Sequence, residues 1–260
     1  MRRRLRLIWV FALAGLWLLL LLPVQLIAHG LLKLGWRAPV TVVPVIFHRG
    51  LLKIMGVRLR RTGPLDARRP LLIVSNHVSW LDIVVLSALR PLSFVAKADM
   101  RDWPFFGLLA RLQRTVFVRR EERRSAGQQA DMIAERMAAR EVMVLFPEGT
   151  TSDGNVLLPF KTPLFEAAKR AIIRAQVGGA VVQPCAIDYS QLHGLSIGRA
   201  ERPHIAWPGE IGLEESLINV VATGALDVTV HIGASIELSE QSNRKIIASE
   251  AAAALREMLR

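Results

Sequence analysis

Residues 71–82 read LLIVSNHVSWLD. Leu71 to Asn76 is a short apolar run of strand length, and Ser79 to Leu89 carries helical spacing until Pro91 stops it. A strand followed at once by a helix is the repeating unit of an α/β fold, and the unit recurs down the chain. Leu92 to Ala96, Thr115 to Val118, VMVLF at 142–146, VVQPCAI at 181–187 and LDVTVHIG at 226–233 are further strand candidates. Helix candidates alternate with them: Asp102 to Leu112, Ser125 to Arg140 with Ala130, Ile133, Ala134 and Met137 on one face, Pro163 to Gln176, and 242–260 with Ser242 as its cap. The expected fold class is α/β, a mostly parallel central sheet flanked by helices and preceded by an N-terminal membrane-embedded helical segment. In such folds ligands bind outside the carboxyl ends of the strands.

Charge divides the chain. Its 260 residues carry 34 Lys plus Arg and 22 Asp plus Glu, a net charge of +12. Residues 1–69 hold 13 basic side chains and one acid, Asp66, whereas the remaining 191 residues hold 21 of each sign. A neutral body behind a basic, apolar front fits a protein held on anionic lipid headgroups. Nucleic-acid binding would need basic residues on the body, so no nucleic-acid partner is expected. Hydrophobic residues make up 52%, too many for a disordered chain, and the charge past residue 33 excludes a polytopic transporter. The one cysteine, Cys185, permits no intrachain disulfide and no C-x-x-C motif.

From Leu7 to Leu32 there is no Lys, Arg, Asp or Glu, and Arg2, Arg3, Arg4 and Arg6 precede the run. These arginines keep that end in the cytoplasm, and no small-x-small cleavage site follows. Leu7 to Leu22 would make a helix of about 24 Å, short of the ~30 Å hydrocarbon core, and Pro23 is expected to interrupt it. Val40 to Val57 is a second apolar segment, broken by Pro44, in which Arg49, Lys53 and Arg58 alternate with aliphatic residues like an interfacial helix. Residues 1–62 are therefore read as a helical membrane anchor, a hairpin dipping into one leaflet, and 63–260 as the α/β domain.

Three strand ends offer chemistry. His77 falls on the turn after LLIVS, and Asp82 lies about one helical turn on, where its carboxylate can fold back onto the imidazole. A histidine held this way has its tautomer fixed and its other ring nitrogen free to take a proton. After VMVLF comes Phe146-Pro147-Glu148-Gly149-Thr150-Thr151-Ser152-Asp153-Gly154, a polar loop able to cradle a polyol or phosphate. Arg119-Arg120 after TVFV suit a phosphate. The segment 201–212, with Trp207-Pro208-Gly209, is a candidate cap over the site. His29, His48, His193, His204 and His231 show no metal-ligand spacing, and no metal is expected. G-x-S-x-G, Walker and G-x-G-x-x-G signatures are lacking, against a serine hydrolase, an NTPase or a dinucleotide enzyme.

NHVSWLD resembles the N-H-x4-D signature of the glycerolipid acyltransferases, and FPEGTTS resembles their F-P-E-G-T hallmark. Lys97, Pro104, Gly107 and TVFVR, then Val182, Pro184 and Ile187, are similar to two further blocks, in the family's order. As a whole the chain resembles the bacterial 1-acyl-sn-glycerol-3-phosphate acyltransferases. The resemblance implies that His77 is the general base on the sn-2 hydroxyl of lysophosphatidate and Asp82 its orienting partner. Attack falls directly on the thioester of acyl-CoA or acyl carrier protein, with no acyl-enzyme and no cofactor beyond that co-substrate. It implies Arg119 on the acceptor phosphate, Glu148, Gly149 and Thr150 around the glycerol phosphate, and Asn76, Lys97 and Lys161 as further substrate contacts. Thioester donors are cytosolic, so the catalytic domain is expected on the cytoplasmic face of the inner membrane.

Two departures bear on the acceptor. Phe160-Lys161-Thr162-Pro163 stands where the family often has F-K-x-G, and Val118 stands where an acid is common. Another acceptor, a lyso-aminolipid such as lyso-ornithine lipid or glycerol 3-phosphate, would use the same chemistry. A non-catalytic membrane scaffold would keep the fold and dispense with His77.

Overall fold

The computed structural model describes residues 1–119, 126–208 and 211–260. Arg120, Ser125 as a helix start, and Gly209 of the candidate cap lie outside the described residues.

Helix α1 (Arg2–Lys33) runs 32 residues straight through Pro23, about 48 Å at ~1.5 Å per residue. The expected interruption is corrected: proline removes one N–H, but leucine-rich turns on either side and a packed neighbouring helix carry the segment across it. The neighbour, α2 (Ala38–Met55), likewise continues through Pro44 and ends at Gly56, where φ is +75°. The two are antiparallel. Trp17 Nε1 donates to Phe47 O at 3.0 Å and Gln25 Nε2 to Val40 O at 3.2 Å. By length and composition both are apolar enough to cross a membrane.

This hairpin lies along the body and touches it at both ends. Arg6 donates to Val221 O at one end; Gln25 donates to Leu112 O and Arg37 to Ala139 O toward the other. Ile8, Leu16, Leu19 and Ile27 on the outer side of α1 remain exposed.

The next strand corrects the reading of Arg58 as the end of an interfacial helix. Residues Val57–Thr62 form β1, with Val57 and Leu59 turned inward and Arg58 and Arg60 outward. That is the period of two of an edge strand, whose arginines guard its outer face. The sheet thus begins six residues ahead of the expected 62/63 boundary.

The remaining elements follow in order: β2 (Leu71–Ser75), α3 (Leu81–Leu89), β3 (Ser93–Lys97), α4 (Phe106–Leu112), β4 (Val116–Val118), α5 (Ala126–Ala138), β5 (Val142–Leu145), α6 (Glu166–Ala175), β6 (Ala180–Leu192), β7 (Leu195–Ser196), α7 (Leu213–Thr223), β8 (Leu226–Ile232), β9 (Ile236–Leu238) and α8 (Arg244–Met258). The sheet order is β1-β8-β6-β2-β5-β3-β4, with β7 and β9 also on β6. Pairs are parallel except those of β6 with β7, β8 and β9. The α/β class and the mostly parallel sheet are as expected.

β2 and β5 are buried on both faces, which is why they read as unbroken apolar runs. Leu71 and Ile73 join the layer of α2, α3 and α7, while Leu72 and Val74 join that of α5, α6 and α8. Local corrections have local causes. The helix expected over Asp102 to Leu112 starts only at Phe106, because Pro104 and Phe105, with φ +63°, break it from a 3-10 turn at Ala98–Asp102. Pro163–Phe165 is likewise a 3-10 turn ahead of α6. Asn243, not Ser242, caps α8, accepting from Lys245 N at 2.9 Å.

Candidate active site

β2, β5, β3 and β4 are parallel neighbours, so their carboxyl ends share one edge. His77 follows β2, Glu148 follows β5, Lys97 closes β3 and Arg119 follows β4. At ~4.8 Å per strand, the β2 and β4 ends stand about 14 Å apart.

Asp82, in the first turn of α3, is fully buried. Its Oδ2 accepts from His77 Nδ1 at 2.8 Å and from the backbone N–H of Val78 and Ser79 at 2.7 and 2.9 Å. Its Oδ1 accepts the Tyr189 hydroxyl at 2.5 Å. A carboxylate facing Nδ1 assigns the ring proton to that nitrogen and leaves the lone pair on Nε2. The His77 ring stacks on Phe146, centroids 4.0 Å apart at 14°. Its side chain is 15% exposed against 0% for Asp82, so the imidazole is reachable and its partner is not.

Glu148 braces the pair from β5. Oε1 accepts His77 N at 2.7 Å and Oε2 accepts Leu158 N at 2.8 Å, and the residue is buried. Burial pushes its carboxyl up to about 7, with the nearby Asp82 charge adding, against the two backbone N–H groups that pull it down. Asn76 is buried as well, and both its polar atoms are committed: Oδ1 accepts Ile187 N at 2.8 Å and Nδ2 donates to Ile187 O at 3.0 Å. It ties β2 to β6 beside the site.

Of the other residues singled out, Gly149 has φ +78°, and a Cβ there would stand 2.8 Å from Lys161 Nζ. Glycine therefore lets Lys161 lie across the FPEG turn. Lys161 also donates its backbone N–H to Pro147 O at 2.8 Å. Lys97 Nζ meets Asp99 Oδ2 at 2.9 Å. Arg119 and Thr150 are exposed, and Arg119 O accepts Gln129 Nε2. The 201–208 stretch leans on both loops: Trp207 N donates to Val78 O, Thr151 Oγ1 to Trp207 O, and Arg202 to Gly154 O. A cavity of about 310 Å³ beside the pair is walled by Asn76, Glu148, Tyr189, Arg202 and Arg256; a second, of about 490 Å³, by Gly149, Lys161, Glu166, Arg170 and Arg244.

Cys185 is buried on β6, which pushes its thiol up to about 12 and leaves it protonated. His231 meets Thr62 Oγ1 and His48 meets Gln113 Oε1. Tyr189 was not singled out in the sequence, although it is the chain's one tyrosine.

A buried carboxylate fixing an imidazole at the carboxyl edge of an α/β sheet is the arrangement with which an enzyme can take a proton from a bound hydroxyl. The chain belongs to the Acyltransferase family, whose model matches residues 56–188. It is 47% identical over 257 residues to a lyso-ornithine lipid O-acyltransferase of Rhizobium meliloti, covering 96% of this chain and 86% of that one. It is 33% identical over 198 residues to a 1-acyl-sn-glycerol-3-phosphate acyltransferase of Neisseria meningitidis, covering 75% and 72%. The solved 1-acyl-sn-glycerophosphate acyltransferase PlsC of Thermotoga maritima superposes over 99% of this chain and 96% of its own, with TM-score 0.65 at 19% identity, a likeness of fold.

Proposed function

We propose that this protein is a membrane-held O-acyltransferase that moves a fatty acyl group from a thioester of coenzyme A or acyl carrier protein to a hydroxyl of a lyso-lipid, with lyso-ornithine lipid as the acceptor. The observation that carries the chemistry is the His77–Asp82 pair, with Nδ1 engaged and Nε2 left basic. The acceptor hydroxyl gives its proton to His77 Nε2 as its oxygen adds to the thioester carbonyl carbon. Asp82 balances the charge of the imidazolium. When the adduct collapses the C–S bond breaks, and the leaving thiolate takes the proton back from Nε2. An ester and a free thiol result, His77 is restored, and no acyl-enzyme or cofactor intervenes.

Asn76 and Glu148, with their polar atoms spent on backbone groups, hold the loops. Arg119, Lys97 and Lys161 serve the acceptor's anionic group in this reading, with Gly149 and Thr150 beneath the acceptor. The alignment of 96% of this chain to a lyso-ornithine lipid O-acyltransferase supports that acceptor, and so does Pro163 in place of the glycine of F-K-x-G, because an ornithine headgroup offers a carboxylate and an ammonium in place of a phosphate. Lysophosphatidate is the second reading, favoured by the Neisseria relative and by an exposed Arg119 suited to phosphate.

The hairpin of α1 and α2 acts as the anchor, and the sheet from β1 onward belongs to the catalytic part. A hairpin that touches the body at both ends while exposing aliphatic residues on α1 supports burial in one leaflet rather than a span. The body then stays on the cytoplasmic side of the inner membrane, where thioesters are made.

The test is acyl transfer from labelled thioester in membranes carrying the protein, with each acceptor in turn. A kcat/KM at least about tenfold higher for lyso-ornithine lipid is expected. A preference for lysophosphatidate moves the assignment to the second reading, and turnover of neither overturns both.

A further inference from the structure

Asp82 Oδ2 already serves three donors, His77 Nδ1, Val78 N and Ser79 N. Its other oxygen, Oδ1, has the phenol of Tyr189 at 2.5 Å, reaching in from β6, 107 positions along the chain. Tyr189 is 6% exposed and packed in the apolar layer of α3. The β6–β8 ladder is regular up to the Tyr189–Val228 pair and then slips, leaving Ser190 as the extra residue before Gln191 pairs with Asp227. Bulges of this kind aim a side chain beside a site.

Resting on the reading of His77 as the base, we infer that Tyr189 is a positioning residue of the transfer reaction: its hydroxyl locks the Asp82 carboxylate so that Oδ2 faces His77 Nδ1. Donation to Oδ1 also takes up part of the carboxylate's charge. Burial and the Asp82 charge raise the phenol well above its ordinary range, and it remains a donor throughout the working pH. Removing it takes away one of the two holds on Asp82 and strengthens the attraction between that carboxylate and the imidazolium.

Glu148, Asp188, Arg202, Arg256 and Arg260 line the same cavity as Tyr189. All five are kept in Tyr189→Phe, so a moved pH profile reports the phenol. The test is kcat and KM against pH in proteoliposomes for the wild type, Tyr189→Phe and His77→Ala. In Tyr189→Phe the acceptor KM is expected within about twofold, kcat lower by about tenfold or more, and the acidic limb of kcat/KM higher by about half a pH unit or more. An unmoved limb beside an inactive His77→Ala overturns the positioning role alone. An active His77→Ala overturns the base reading on which it rests. If Tyr189→Phe fails to fold, the wild type carries the test, because a 13C label at the phenol carbon gives one tyrosine resonance. That resonance is expected to move with pH in step with the acidic limb and to lose the step in His77→Ala; a resonance flat across the limb overturns the proposal.

Discussion

The Glu148 carboxylate accepts the backbone N–H of His77 at 2.7 Å while its second oxygen holds Leu158 N at 2.8 Å, so the loops after β2 and β5 are pinned by one side chain. Glutamine can accept only one of these two donors. Glu148→Gln is expected to lower kcat by about tenfold or more through misplacement of His77, read by steady-state transfer.

The same group sets a pH dependence of stability. Its folded pKa is raised from 4.5 to about 7, so the folded state holds the proton more tightly than the unfolded one. Its contribution is present below about 4.5 and is lost as pH rises through about 7, with a slope of at most ~1.4 kcal/mol per pH unit. Apparent unfolding temperatures in detergent at pH 5 and pH 7 are expected to fall with pH more in the wild type than in Glu148→Gln. Equal falls would contradict this.

Asp82→Asn keeps an acceptor for Val78 and Ser79 but removes the charge that favours the Nδ1–H tautomer. A loss in kcat of about 10³-fold or more is expected, with circular dichroism unchanged. A variant within tenfold of the wild type would contradict the orienting role.

Much of this was legible wherever partners lie close along the chain. N-H-x4-D put His77 and Asp82 within one helical turn, and β2 and β5 announced themselves as apolar runs because both their faces are buried. Contacts that span the chain left no local mark: Tyr189 to Asp82, Asn76 to Ile187, Glu148 to His77. β1 was misread because VRLRRT, three arginines among two aliphatic residues, looks like the basic flank of the preceding helix until β8 pairs with it. Pro23 misled for the opposite reason, since a packed neighbour supplies what the proline removes.

Gly149 adopts φ +78° under Lys161. Gly149→Ala is expected to cost about 1 kcal/mol in the backbone alone and to push the lysine aside, raising the acceptor KM more than it lowers kcat. A variant with reduced stability and unchanged KM would remove Lys161 from the acceptor site.

At Gly50 a Cβ would meet the Trp17 ring at 2.3 Å. Gly50→Leu is expected to pry the hairpin apart at a cost of about 1–3 kcal/mol, lowering the apparent unfolding temperature, whereas Gly30→Leu, with open space around it, is expected to leave it unchanged. Equal effects would contradict the close packing of α1 on α2.

In the proposed reaction His77 takes the proton from the acceptor hydroxyl. Its most direct measurement is single-turnover transfer of a labelled acyl group to lyso-ornithine lipid by membranes holding equal amounts of folded wild type and His77→Ala. The expected result is ester formation by the wild type and loss by about 10³-fold or more in the variant, with thioester binding retained. Ester formed by His77→Ala at a rate near that of the wild type would contradict it.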